Sequence, residues 1–540
     1  MEREPAPWAW LKTPMPHHTE FATRGDWAGK TLGDFAIALA DADPDFIQFI
    51  AGDQKMTCAD LLTDAEALSV GLADIGLIAG DVVSFQTPNW IEAAVINLAA
   101  ALSGFVINPI VPIYRDAEVG MMLADSRAKA FIVAASFRKY DYVAMAERLK
   151  PRLPDLRHII LVRGDAGLTY DALLESGRGR SFNRPQVDAG AIKMLLYTSG
   201  TTGRPKGVMH NHNTLTRALQ KSAQYWGITA GEAMIMPSPV THVSGYGNGL
   251  EMPFVAGTRT ILMESWNAAD ALALIAKHDV VGTVAATPFL TELAALAAGK
   301  RLPSLRFFAC GGAAVPPEVI PAANRAFKNC QAFRVFGSSE VPLVTFGYPE
   351  AGDEHLAAIT DGAIIDYQVR IIDDEGQDVP VGQQGEILAR GPAMFMGYAD
   401  EKQTQDAITE DGYFRTGDIG CITSEGGILI TGRKKDLIIR GGENISVKEI
   451  EDVLHTHPAV QEVTVVAMPH ERMGEGVCAY VILRGDADAA ALAAHIQASG
   501  LAKQKTPERF EFVTDFPRTA SGKIRKDLLR AEIKALVEAS

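Results

Sequence analysis

Tyr197-Thr198-Ser199-Gly200-Thr201-Thr202-Gly203-Arg204-Pro205-Lys206-Gly207 is the stretch that decides how the rest of the chain is read. Four Ser/Thr hydroxyls, three glycines and one lysine fall within eleven residues. Glycines let the backbone approach an anion and adopt positive φ. The N–H groups and hydroxyls of such a loop donate to phosphate oxygens, and Lys206 adds a point charge. Residues 192–197 before the loop read as a strand. Residues 208–210 after it are short and extended, and a helical face of Leu215, Ala218, Leu219 and Ser222 starts near Asn213. The loop is not a Walker A sequence, because Pro205-Lys206-Gly207 stands where that pattern needs Gly-Lys-Ser/Thr.

Working outward, residues 57–162 alternate between helical and strand patterns. Helices are expected at 59–77, 92–102, 116–126 and 142–149, with strands at 82–86, 105–108, 130–133 and 158–162. Such repeats imply a parallel sheet covered by helices on both faces. A second alternating block follows the loop, with strands at 233–236, 258–262, 282–286 and 306–310. Its helices are expected at 247–254, 268–278 and 289–298. From about 360 to 432, short apolar runs broken by Asp/Gly turns read as a β-rich subdomain. Beyond Gly432 a hairpin, a helix over 447–455, strands at 462–467 and 477–483, a helix over 489–496 and a strand at 509–513 form a small α+β unit. The expected fold is therefore α/β with α+β. Residues 1–432 form a large domain of two layered α/β subdomains plus the β-rich one, and 433–540 form a small mobile domain. Residues 1–50 read as a Pro/His-rich arm that turns helical, anchored by Trp8, Trp10 and Trp27.

Composition bounds the function. A chain of 540 residues exceeds one ordinary core. With 47% hydrophobic and 22% charged residues it is an ordinary globular composition. The net charge of −15 argues against a nucleic-acid footprint. Five scattered cysteines with no metal-ligand spacing imply reduced thiols and a cytoplasmic setting. The apolar run at 93–111 is interrupted by Asn97, Asn108 and Pro109, so it is read as a buried helix, turn and strand rather than a membrane span. The pairs His210/His212 and His455/His457 lack the further ligands a zinc site needs.

Six more stretches follow in order: Pro239 to Gly245, Gly311-Gly312-Ala313-Ala314-Val315-Pro316, Phe336-Gly337-Ser338-Ser339-Glu340, Tyr413 to Asp418, Gly432 to Ile445, and Pro517 to Lys526. Together with the loop they resemble the adenylate-forming superfamily of acyl-CoA synthetases, luciferases and adenylation domains. The look is closest to medium-chain and cyclohexanecarboxylate-type acyl-CoA ligases. The resemblance spans about residues 190–530 and implies roles residue by residue. Thr198, Ser199, Gly200, Thr201, Thr202 and Lys206 would hold ATP phosphates. Gly312, Ala313, Ala314, Phe336, Gly337, Ser338 and Ser339 would surround the nucleotide, with Phe336 stacked on adenine. Glu340, with Ser339, would hold Mg²⁺. Asp418 and Arg433 would take the ribose, Lys523 would be the catalytic lysine, and Lys435 would be the hinge. Gly441 and Gly442 would line the coenzyme A tunnel, and His242, Gly245, Tyr246 and Gly311 the acyl pocket. Phe336 and Ser339 depart from the family's more usual Tyr and Thr.

The implied reaction joins a small carboxylic acid to coenzyme A through an acyl-adenylate, using ATP and Mg²⁺. Small residues through Ser244–Gly249, with Tyr246 among them, allow a medium-chain, alicyclic or aromatic acid, and His242, near where an amino-acid adenylation domain carries a carboxylate, speaks against an amino acid. An acyl-AMP ligase that loads a carrier protein, or a luciferase-like oxygenase, would share the nucleotide residues. The oligomeric state is left open, a homodimer included.

Overall fold

A computed structural model describes residues 6–11, 16–198, 205–297, 302–312, 315–316, 318–440, 443–519 and 523–538. Two seven-stranded sheets form the body of the large domain. One runs, in spatial order, Gly397–Tyr398, Lys206–Asn211, Ile192–Thr198, Val106–Pro109, Val82–Gln86, Ala130–Ala134 and His158–Val162. Its strands Ala130–Ala134 and His158–Val162 are near-continuous apolar runs, as a parallel sheet covered on both faces requires. Lys206–Asn211 lies antiparallel to Ile192–Thr198, so the two strands that flank the phosphate-type loop are neighbours, one strand in from the edge at Gly397–Tyr398.

The second sheet runs Gln331–Val335, Phe307–Gly311, Val280–Ala285, Ala233–Met236, Arg259–Leu262, Ile47–Ala51 and Gln54–Thr57. Here the expectation for the first fifty residues is corrected. The arm is helical over Leu32–Ala42, but Ile47–Ala51 then enters the second block's sheet, parallel to Arg259–Leu262. The partner lies some two hundred residues away, and no local pattern names it. The strand Gln331–Val335 and the closing helix Lys526–Glu538 are likewise additions to the expected elements.

The expected helix over 247–254 is also revised. A short turn at Val243–Gly245 leads into a π-helix, Tyr246–Glu251, and only then into Met252–Ala256. Its cause lies in a buried polar knot. Lys193 and Glu251 are 2% and 1% exposed and form an ion pair. Lys193 Nζ donates to Tyr246 Oη at 2.9 Å, Tyr246 Oη donates to Asn97 at 2.5 Å, and Asn97 donates to Glu251 at 2.7 Å. A buried charge is tolerated only when paired and hydrogen-bonded. Meeting that condition fixes the register of this turn, and π-turns recur at functional sites.

A four-stranded antiparallel sheet, Gln368–Ile372, Gly385–Arg390, Phe414–Ile422 and Ile428–Arg433, forms the β-rich subdomain. The small domain's sheet starts at Ile438 and holds five strands, packed by Val447–His455 and Ala489–Ala498 on one core and Lys526–Glu538 on another. The change of sheet thus falls between Arg433 and Ile438, across a single 3₁₀ turn at Lys434–Asp436. No helix among the described residues is long and apolar enough to cross a membrane. All five cysteines are free and buried.

Two glycines let helices Cys58–Asp74 and Tyr170–Gly177 touch. A Cβ on Gly177 would lie 2.0 Å from the Ala67 carbonyl oxygen, and one on Gly71 would lie 2.4 Å from that of Leu173. Gly177→Ala is therefore expected to cost about 1–3 kcal/mol by overpacking. A lowered urea midpoint of the large domain checks it; an unchanged midpoint would mean that the helices slide apart freely.

Candidate active site

The site forms where the strands that flank the phosphate-type loop, the β-rich sheet and the small domain meet. Asp418 lies on Phe414–Ile422, opposite Arg433 on the neighbouring strand. Arg433 Nε donates to Asp418 Oδ1 at 2.7 Å. Asp418 is only 3% exposed, and its Oδ2 has no hydrogen-bond partner among the described residues. Burial raises the pKa of this carboxyl, against the pull of Arg433 and Lys523. A buried acceptor left unpaired is costly.

Phe336 follows the strand Gln331–Val335 and is half-buried, its N–H donating to Thr345 Oγ1 at 2.8 Å. The turn after it is tight. A Cβ on Gly337 would lie 2.5 Å from the backbone nitrogen of Leu343, which itself adopts φ +51°. The Ser338 hydroxyl accepts from the Glu340 N–H at 3.2 Å. Glu340 is buried, and Tyr398 Oη donates to its Oε1 at 2.8 Å. His210 Nε2 lies 2.7 Å from the Ser339 carbonyl oxygen, so that nitrogen carries the proton, and burial holds the imidazole pKa down to about 4. His212 Nδ1 accepts from the Leu32 N–H at 3.1 Å. Both histidines are therefore occupied structurally. No cluster of three or more His, Cys, Asp or Glu that could cage a metal is found among the described residues.

Lys523 comes from the small domain. Arg518 and Ile524 pair as an antiparallel bridge on either side of it; the Thr519 N–H donates to the Lys523 carbonyl at 2.7 Å and the Lys523 N–H to Thr519 Oγ1 at 3.0 Å. Its electrostatic neighbours are Arg433, Asp418, Glu340 and Lys435. Burial, and then Arg433, push the ammonium down to about 8 although Asp418 and Glu340 favour the charge. The adjacent cations are engaged elsewhere: Arg525 pairs with Asp527 at 2.6 Å, and Lys526 pairs with Glu451 at 2.7 Å. That arrangement separates Lys523 from its neighbours, which the sequence alone leaves as rivals. Between the two sheets, Lys434 pairs with Glu386 at 3.0 Å, and Lys435 sits at the centre of the 3₁₀ turn.

His242 caps the turn at Val243, half-buried. Burial and the nearby Lys523 hold its pKa down to about 4, so it is neutral at pH 7. Gly311 ends its strand, where a Cβ would lie 2.5 Å from the Val335 carbonyl oxygen. Gly312, at φ +85°, borders open space. Two residues expected in the acyl pocket also have packing roles of their own. Tyr246 has no exposed surface, and its hydroxyl is bound into the Lys193–Glu251 knot. A Cβ on Gly245 would point at the Pro239 carbonyl oxygen, 2.1 Å away, so this glycine serves the turn. Thr198 ends its strand and Lys206 begins the next, while Ser199, Gly200, Thr201, Thr202, Ala313, Ala314, Gly441 and Gly442 lie outside the described residues. Tyr398 was not foreseen; the only signal was an aromatic after Gly397 in an apolar run.

Asp418, Arg433, Glu340 and Lys523 thus lie together, drawn from the β-rich sheet, the turn after Gln331–Val335 and the small domain. The chain belongs to the AMP-binding enzyme family: its model matches residues 38–399, and that of the AMP-binding enzyme C-terminal domain matches 449–523. A medium-chain fatty-acid–CoA ligase of Escherichia coli is 33% identical over 528 residues, 95% of this chain and 92% of that protein. A 2,3-dihydroxybenzoate-AMP ligase of Bacillus subtilis is 31% identical over 530 residues, 96% of this chain and 97% of that one. Among solved structures, ATP-bound MatB from Rhodopseudomonas palustris superposes with a TM-score of 0.83 at 27% identity, covering 94% of this chain and 100% of that one. The protein is thus an AMP-forming ligase of the acyl-CoA synthetase type.

Lys523 is charged well below pH 8 and loses its proton as pH rises through about 8. The kcat/KM of adenylate formation, which reports the free enzyme, is expected to fall above pH 8 by about tenfold per unit. Lys523→Arg, whose guanidinium stays charged, is expected to remove that alkaline limb even at a reduced rate. A limb that persists in Lys523→Arg would assign it to another group.

Proposed function

We propose that this enzyme activates an otherwise uncharged small carboxylic acid, of the medium-chain, alicyclic or aromatic kind, and transfers its acyl group to coenzyme A in the cytoplasm. The observation that carries the nucleotide half is the Oδ2 of Asp418, unpaired among the described residues, beside Arg433. A carboxylate only accepts, and it can serve both hydroxyls of a ribose. Arg433 supports it from the second strand. Phe336 gives adenine a face. The hydroxyls of 198–202 and Lys206 take the β- and γ-phosphates that leave as pyrophosphate.

Glu340 fits Mg²⁺, a hard cation usually bound by one or two carboxylates together with substrate phosphates rather than by a protein cage. Tyr398 occupies Oε1, and Oε2 is the oxygen suited to the cation. When bound, the ion neutralises phosphate charge. The acid's carboxylate oxygen bonds to the α-phosphorus, the α–β bridging P–O bond breaks, and pyrophosphate departs. Charge builds on the α-phosphoryl oxygens, where the Lys523 ammonium is aimed. One such preorganised group is worth about 3 kcal/mol, roughly a hundredfold in rate. In the second half-reaction the thiol, having lost its proton, bonds to the acyl carbon and AMP leaves. Gly441 and Gly442 would then line the thiol's path, after rotation about Lys435 withdraws Lys523.

The acid class rests on neutrality. His242 is uncharged at pH 7, and no carboxylate stands in the Pro239–Gly245 stretch to hold a substrate amine. A carrier-protein acceptor in place of coenzyme A is the second reading, favoured by the similarity to an aryl-AMP ligase. Lys523→Ala is expected to abolish pyrophosphate exchange, by a hundredfold or more, while sparing thioester formation from supplied acyl-adenylate. Equal loss of both steps would contradict the role. A panel of fatty, alicyclic and aromatic acids assayed for AMP release with and without coenzyme A decides acid and acceptor together. Thioester accumulating only with coenzyme A is the expected result; acyl-adenylate accumulating regardless would favour the carrier.

A further inference from the structure

The segment Phe395–Ala399 joins parts of the site that lie far apart in sequence. The Phe395 N–H donates to the Glu340 carbonyl oxygen at 2.7 Å, the Met396 N–H to that of Met209 at 2.8 Å, and the Ala399 N–H to that of Gly207 at 2.8 Å. Gly397 and Tyr398 pair antiparallel with Met209 and Val208, on the strand that leaves the phosphate-type loop. Outside this segment, Trp10 of the N-terminal arm donates its indole N–H to the Ala399 carbonyl oxygen at 3.0 Å. Gly397 adopts φ +128°, and a Cβ there would meet Thr404 at 3.1 Å and Trp10 at 3.3 Å, so the approach of arm and segment needs glycine.

Tyr398 sits at the centre of this seam, 2% exposed. Its hydroxyl donates to Glu340 Oε1 at 2.8 Å. The Lys206 ammonium lies 4.7 Å from the centre of its ring, within the range of a cation–π contact. Packing alone does not call for the hydroxyl, because Phe395 and Phe414 fill the same cluster as plain rings, 5.2 Å apart. A buried phenol needs a partner, and here the partner is the carboxylate suited to the cation. A carboxylate only accepts, so the phenol is the donor of this bond. It is therefore a fixed donor.

We infer that Tyr398 is a positioning residue that sets the metal-binding carboxylate of Glu340 and the phosphate-binding cation of Lys206 in one rigid geometry, the hydroxyl orienting the first and the ring face the second. This rests on the nucleotide reading above. The hydroxyl fixes which Glu340 oxygen faces the cation. The ring holds the lysine without neutralising it, so that its charge remains available to an anion.

Tyr398→Phe removes the first function and keeps the second. Tyr398→Leu removes both. Binding of α,β-methylene-ATP to the full chain is measured by calorimetry with Mg²⁺ and with chelator. In Tyr398→Phe the affinity with Mg²⁺ is expected to fall about tenfold, the loss of one charge-assisted hydrogen bond, while affinity in chelator stays within about twofold. The free Mg²⁺ needed for half-maximal pyrophosphate exchange should rise by about the same factor, with the KM for the acid unchanged. Tyr398→Leu should lose affinity in chelator as well. Should Tyr398→Leu not fold, the phenylalanine variant alone carries the test. Tyr398→Phe matching the wild type with Mg²⁺, or losing affinity equally with and without it, would overturn the inference. Failure of the wild type itself to bind the analogue more tightly with Mg²⁺ would instead remove the nucleotide reading beneath it.

Discussion

The pairing of Asp418 with Arg433 at the last strand of the large domain is the contact on which the site depends. It sits one short turn before the chain enters the small domain. It leaves one carboxylate oxygen buried and unpaired among the described residues, and it places a guanidinium beside the lysine that the small domain delivers. Both features cost stability when the site is empty. A nucleotide would repay them, by donating to the first and by placing anionic oxygens near the second. The binding free energy of the ligand and the closed position of the small domain are thus coupled through a few side chains.

Lys523 shows why the domain must be in place. In water its ammonium would titrate near the ordinary lysine value; here burial and Arg433 bring it down to about 8. That shift comes from burial and from Arg433, while Asp418 and Glu340 oppose it. The Lys526–Glu451 pair fixes the chain after Lys523 to the small domain's own core, since Glu451 also accepts from the Val465 N–H at 2.7 Å.

Much of this was legible in the sequence, and the residues show why. Strands such as Ala130–Ala134 and His158–Val162 are short apolar runs between turn signals, and the helix Tyr142–Leu149 carries its own amphipathic period, so local chemistry suffices. The motif residues Glu340, Asp418, Arg433 and Lys523 stand in a fixed order, and order survives where geometry is unseen. What was not legible is non-local. Ile47–Ala51 is a strand because of a partner two hundred residues on. Tyr246 turns inward because Lys193 and Glu251 need it. Tyr398 matters through Glu340 and Lys206, neither of them near it in sequence.

The central claim is that a carboxylate attacks the α-phosphorus of ATP at this junction. The most direct measurement supplies the enzyme with an accepted acid labelled with ¹⁸O in its carboxylate, together with ATP and coenzyme A, and weighs the products. Transfer of one labelled oxygen to AMP and none to pyrophosphate is the result expected. Unlabelled AMP, or label in pyrophosphate or inorganic phosphate, would contradict it.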